Sequence, residues 1–117
     1  MTENRKRLQA VFFCAANGTA PVRDWLREFS KEDRLYIGTD IKTVEYGWPI
    51  GMPTCKPLGD GLYEVRTNLT NRIARVFFCI VGGKMVLLHG FIKKPQQTPA
   101  SDLKLARNRM ARLEKQL

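Results

Sequence analysis

Apolar positions along the chain change period three times, and each change marks an element. Leu8-Gln9-Ala10-Val11-Phe12-Phe13-Cys14 is rich in β-branched and aromatic residues and is closed by Asn17-Gly18. This predicts a first strand. From Pro21 the period becomes helical. Val22, Trp25, Leu26 and Phe29 share one face, Pro21 presets the backbone of the first turn, and Asp24 places a negative charge near the positive end of the helix. A short helix over about 21–29 follows. Ser30-Lys31-Glu32-Asp33 then has the form of a capping box. Ile37, Ile41, Val44 and Trp48 recur at steps of four, three and four, and Gly47 with Pro49 stops the run. Two helices with almost no loop between them predict a helical hairpin packed on a sheet, with Trp25 and Trp48 as core anchors.

Residues 47–61 hold three prolines and four glycines and predict an irregular connection. Beyond it the period is two. Along 62–68, Glu64 and Arg66 fall on one side and Tyr63, Val65 and Thr67 on the other. A turn around Leu69-Thr70-Asn71 leads to a second strand over 72–81, Gly82-Gly83 gives a hairpin signal, and 84–92 returns. Lys93-Lys94-Pro95-Gln96-Gln97 is a polar loop, after which Thr98 as N-cap and Pro99 open a last helix. Its apolar stripe is Leu103, Ala106, Met110, Leu113 and Leu117. The expected architecture is β-α-α-β-β-β-α, an α+β domain of helices on a mostly antiparallel sheet, filling residues 1–117 as one unit.

Composition narrows the function classes. Hydrophobic residues make up 44% and charged residues 26%, so the chain can build a core without disulfide or metal staples. No apolar run is long enough to span a bilayer, and the short stretch after the basic N-terminus makes a poor export signal. No membrane contact and a cytoplasmic location are therefore expected. Cys14, Cys55 and Cys79 lack paired-ligand spacing and there is one histidine, His89. The expectation is reduced, packed cysteines, with no metal and no cofactor.

Charge is more informative than composition. The net charge is +9, yet residues 1–60 carry nine Lys/Arg against eight Asp/Glu, while 61–117 carry eleven against three. The excess lies on predicted strands, a loop and a helix rather than on a tail. Such a field favours a polyanionic partner. Strand alternation brings Arg66 and Arg75 to neighbouring strands and Lys93 and Lys94 to the end of the third. Adjacent strands are about 4.8 Å apart, so these side chains can converge on one phosphate. Glu64 and Asp102 are the carboxylates available to neutralise part of the group. For proton transfer the candidates are Lys93, Lys94, Tyr63 and His89. His89 alternates with Met85, Leu87 and Phe91, which suits a packed core histidine, and Tyr63 falls on the side of its strand away from Arg66.

These residues carry a resemblance. Pro57-Leu58-Gly59-Asp60-Gly61-Leu62-Tyr63-Glu64-Val65-Arg66 resembles the L-x-x-G-L-Y-E-L-R stretch of the RelE/HigB superfamily. Arg75-Val76-Phe77-Phe78 is similar to its R-V-x-Y/F strand, and the segment from Leu87 to Pro99 to its L-L-x-x-F-x-K-K-x-x-x-T-P signature. The resemblance spans about 57–110 and points to the phage-derived, HigB-like branch. It implies a toxin of a type II toxin–antitoxin pair, a metal-independent, ribosome-dependent mRNA endoribonuclease. In that chemistry the RNA's own 2′-hydroxyl attacks the adjacent phosphate while Arg and Lys stabilise the charge. Carried over residue by residue, it implies Arg66, Arg75, Lys93 and Lys94 as catalytic, with Arg72, Gln96, Lys104 and Arg107 as RNA contacts. The implied partners are a cognate antitoxin of helix-turn-helix type, the ribosome and mRNA. Several relatives use a tyrosine or histidine near the C-terminus as general acid. Here no His or Tyr follows His89, which leaves that role to a lysine, to the ribosome, or unfilled. A non-catalytic RNA- or ribosome-binding module on the same fold is the alternative, and a basic face that only docks an acidic protein is the third reading.

Overall fold

The computed structural model describes residues 5–93 and 99–116. Its elements are β1 (Gln9–Phe12), α1 (Pro21–Leu26), α2 (Lys31–Gly47), β2 (Cys55–Gly59), β3 (Leu62–Leu69), β4 (Arg72–Val81), β5 (Lys84–Ile92) and α3 (Ala100–Gln116). The five strands form one sheet in the order β1-β5-β4-β3-β2. β1 joins β5 in parallel and the other three junctions are antiparallel. The α+β architecture is as expected, with one correction. The irregular connection contains a strand, β2, pairing with β3 from Cys55↔Val65 to Gly59↔Leu62. Pro57 is tolerated because β2 is an edge strand, where a missing N–H costs no ladder bond.

The turns follow their local chemistry. Gly82 and Gly83 both have positive φ, 54° and 78°, as a two-residue turn that follows strand twist requires. The Ser30 side chain caps α2 by accepting from the Asp33 N–H at 3.1 Å. Asp33 does not complete the capping box through its own carboxylate, which takes the guanidinium of Arg72 instead.

Each face of the sheet is covered. Under α1 and α2 lie Val22, Ile37, Ile41 and Val44 against Val65, Val76, Phe78, Met85 and Leu87. Under α3 lie Phe13, Leu62, Phe77, Cys79, Val86, Leu88 and Ala106. Trp48 closes the first core edge-to-face against Tyr63 at 4.9 Å, and Trp25 packs at its rim. The α3 stripe predicted from spacing is observed through Leu103, Ala106, Met110 and Leu113. Leu117 lies outside the described residues, as does Thr98. Among the described residues no helix is long and apolar enough to cross a membrane.

One irregularity decides which side chains meet. In the β4–β5 ladder Phe78 pairs with Leu87 but Phe77 pairs with His89, so Leu88 is an extra residue. A bulge of this kind shifts the alternation by one. Before it, Met85 and Leu87 face α2. After it, Phe91 packs in the α3 layer while Ile92 packs in the α2 layer. The Leu88 carbonyl is met by Nη1 of Arg109 at 2.7 Å.

Candidate functional site

On the α3 side, β3 presents Glu64 and Arg66, β4 presents Arg75 and Phe77, and β5 presents His89 and Phe91. The pairing is direct. Glu64 lies opposite Phe77, Arg66 opposite Arg75, Arg75 opposite Phe91 and Phe77 opposite His89. Like charges facing each other across two strands are destabilising unless something intervenes. Here Arg75 Nη1 donates to Glu64 Oε1 at 2.8 Å, with the two side chains 11% and 3% exposed. Glu64 therefore neutralises one of the two guanidinium groups. Arg75 is only partly satisfied by it, since its Nε is buried with no acceptor among the described residues. A buried donor left unpaired costs about 1–3 kcal/mol, and an anionic oxygen supplied from outside would relieve that cost.

Arg66 is half-buried, and its guanidinium has no partner among the described residues. It also lines a pocket with Asp40, Pro53, Thr54 and Asn68. Lys93 follows β5, is half-buried, and is held by its backbone N–H to the Ile73 carbonyl at 3.3 Å. Arg66 and Arg75 thus lie on neighbouring strands with Lys93 just past the end of the third, as the alternation predicts. Lys94 and Gln96 lie outside the described residues.

The remaining basic residues are placed differently. Arg72 turns to the opposite side of the sheet. Its guanidinium pairs with Asp33 and lies 5.5 Å from the Phe29 ring centre. The cause is strand parity: Arg72 alternates with Ala74 and Val76, whose side chains pack under α2. Arg107 ties α3 to the β2–β3 turn, donating to the carbonyls of Leu58 at 3.2 Å and Gly59 at 3.4 Å. Lys104 is exposed on the outer side of α3. Arg109 is spent on the bulge, and burial, aided by neighbouring Arg112, lowers its pKa from the usual arginine value.

His89 needs a correction. The alternation groups it with Met85 and Leu87 in the core, but the bulge at Leu88 moves it to the α3 side. Its ring stacks on Phe91 with centres 5.5 Å apart, and its Nε2 lies 2.6 Å from Oδ1 of Asp102. The side chains are 16% and 28% exposed. Asp102, in the first turn of α3, therefore holds the histidine rather than neutralising a lysine or arginine. The sequence signal for this pair was an acidic residue three positions after Pro99, in the first turn of the last helix. Tyr63, by contrast, stays on the α2 side, stacked on Phe78 at 5.4 Å.

Among the described residues no three His, Cys, Asp or Glu side chains gather as a metal site. Cys55 and Cys79 are buried and Cys14 is exposed. Burial, reinforced by the Glu64 charge, pushes the Cys55 thiol up to about 11. A thiol so disposed is a poor nucleophile at neutral pH.

The family model described as "Phage derived protein Gp49-like (DUF891)" matches residues 24–111. That stretch runs from α1 through most of α3 and contains every residue of the cluster. No curated protein matches the chain.

Proposed function

The chain belongs to the Gp49-like family of phage-derived proteins, a toxin-like family of the RelE/HigB type, and from that premise we propose that it is a ribosome-dependent mRNA endoribonuclease. The observation that carries the reading is the Arg66–Arg75 pair, in which one guanidinium keeps a buried N–H without an acceptor and the other has no partner among the described residues. A phosphodiester supplies the missing acceptors. Two guanidinium groups on adjacent strands fix its non-bridging oxygens and stabilise the extra charge that develops on phosphorus. Glu64 holds Arg75 in place for this, since a guanidinium bonded on one edge is already ordered when the ligand arrives. Lys93, just past β5, adds positive charge, and Lys94 follows it in sequence. Nothing in this step calls for a metal, because the attacking group is the RNA's own 2′-hydroxyl.

The toxin character of the family implies an antitoxin as partner. A cognate antitoxin of helix-turn-helix type that covers the basic face would silence it, and the ribosome would present the message. Both assignments, and a cytoplasmic site of action, rest on this reading.

The test is mRNA cleavage in a bacterial translation extract, mapped by primer extension, with wild type beside Arg66→Ala. Arg66 is the better probe than Arg75 because its removal strands no buried carboxylate. Wild type should give cuts that require active initiation, and the variant should lose about 100-fold in rate, as for one charge-stabilising donor removed. An intact message at saturating protein overturns the reading. Tight, salt-sensitive RNA or ribosome binding without cuts would identify a binding module, and absence of any RNA affinity would leave a face that docks an acidic protein.

A further inference from the structure

We infer that His89 is the general base of this site, with Asp102 as its positioning residue; the inference rests on the nuclease reading above and supplies the proton-transfer group which that reading lacks. Three observations carry it. The bulge at Leu88 takes His89 out of the α2 core and places it on the face that holds Arg66 and Arg75. His89 lies directly opposite Phe77, one step along the same face from Arg75. Such diagonal neighbours are about 7–8 Å apart at Cα, within reach of one nucleotide for two long side chains. Finally, Asp102 Oδ1 sits 2.6 Å from Nε2. A carboxylate there fixes the neutral ring with its proton on Nε2, so the lone pair is on Nδ1.

The step balances as follows. Nδ1 accepts the 2′-hydroxyl proton, and the freed O2′ pair forms the bond to phosphorus. The P–O5′ bond breaks with its electron pair on O5′, which takes a proton from water. The products are a 2′,3′-cyclic phosphate and a 5′-hydroxyl. The imidazolium formed is stabilised by Asp102, while Arg75 and Arg66 hold the phosphorane charge. The packed face of Phe91 keeps the ring in one plane.

Around His89, Asp102 of α3 pairs with the ring, Arg109 of α3 meets the neighbouring Leu88 carbonyl, and Arg75 of β4 lies diagonally across the ladder with Glu64 as its own partner. Asp102→Asn should lower the cleavage rate, because without the carboxylate at 2.6 Å the ring is free to turn and to take the other tautomer.

The experiment is single-turnover cleavage of mRNA on purified programmed ribosomes at neutral pH. Wild type, Arg66→Ala, His89→Gln, Asp102→Asn and Asp102→Glu are compared, each with a thermal melt and a ribosome-binding curve. His89→Gln should lose about 100-fold or more in rate while still binding, and Asp102→Glu should recover part of what Asp102→Asn loses. His89→Gln cutting at the wild-type rate beside an inactive Arg66→Ala overturns the assignment alone. If His89→Gln does not fold, Asp102→Asn decides, and cleavage by that variant at the wild-type rate overturns the assignment. Wild type that makes no cuts removes the nuclease reading itself and this assignment with it.

Discussion

Arg75 is bound to the fold as tightly as to any chemistry. Its guanidinium is the counter-charge of Glu64, whose side chain is 3% exposed. Removing one member of a buried ion pair leaves the other charge uncompensated, at about 3–5 kcal/mol. Arg75→Ala is therefore expected to lower the melting temperature strongly, by well over 10 °C for a domain of this size. Glu64→Gln in the same chain should return most of the loss, because a neutral amide no longer needs the cation. Thermal unfolding of the two single variants and the double variant checks this. Equal destabilisation by Arg75→Ala and by the double variant would show that the pair is not the cause. An activity assay on Arg75→Ala alone would thus confuse lost folding with lost chemistry. At this scale the placement of Arg66 opposite Arg75, with Lys93 at the end of the third strand, was legible because strand parity is local information. The direction of Arg72 was not legible, since its partners, Asp33 and Phe29, come from α2 and the segment before it, about forty positions away.

The elements show where local rules are sufficient and where they stop. The helical hairpin was legible because apolar spacing, Ser30 and the Gly47/Pro49 stop all agree. The Gly82-Gly83 turn was legible because positive φ at both positions is a glycine property. β2 was hidden by its own prolines and glycines, which read as breakers and are tolerated only because nothing pairs beyond it. The bulge at Leu88 has no sequence mark at all. It depends on Arg109, one helix away, to satisfy the freed carbonyl, and with it the side on which His89 falls. Gly90 is the other element-level consequence. A Cβ there would meet the Trp25 ring at 2.4 Å, so α1 packs on β5 only where the strand lacks a side chain. A ring this large cannot step aside without dislodging α1. Gly90→Ala should cost about 1–3 kcal/mol of stability by overpacking. Trp25→Leu in the same chain should recover part of it. Denaturant melts of the three variants measure this, and an unchanged midpoint in Gly90→Ala would mean that the ring relocates freely.

For the molecule as a whole, the question is which cations a polyanion would meet. The second half of the chain carries eleven Lys/Arg, but the fold disperses their duties. Arg72 is paired on the α2 side, Arg107 holds the β2–β3 turn and Arg109 holds the bulge. Of the others, Arg66 and Arg75 face each other across β3 and β4 with Lys93 just past β5, whereas Lys84, Lys104 and Arg112 are exposed at the start of β5 and along α3. Net charge alone treats all eleven as equivalent, whereas geometry predicts that a few of them set the salt dependence of RNA affinity. For single-stranded RNA, each neutralised phosphate contributes about −0.7 to the slope of log K against log salt concentration. Arg66→Ala should therefore flatten the slope by about 0.7, with a loss of affinity across all sequences. Arg72→Ala removes the same unit of charge, and its exposed pair with Asp33 contributes little to stability, so the slope should stay near the wild-type value. Fluorescence anisotropy with a labelled single-stranded RNA over 50–300 mM salt separates the two. If both substitutions flatten the slope equally, a diffuse basic surface binds the RNA, and the clustering of Arg66 with Arg75 is not what selects it.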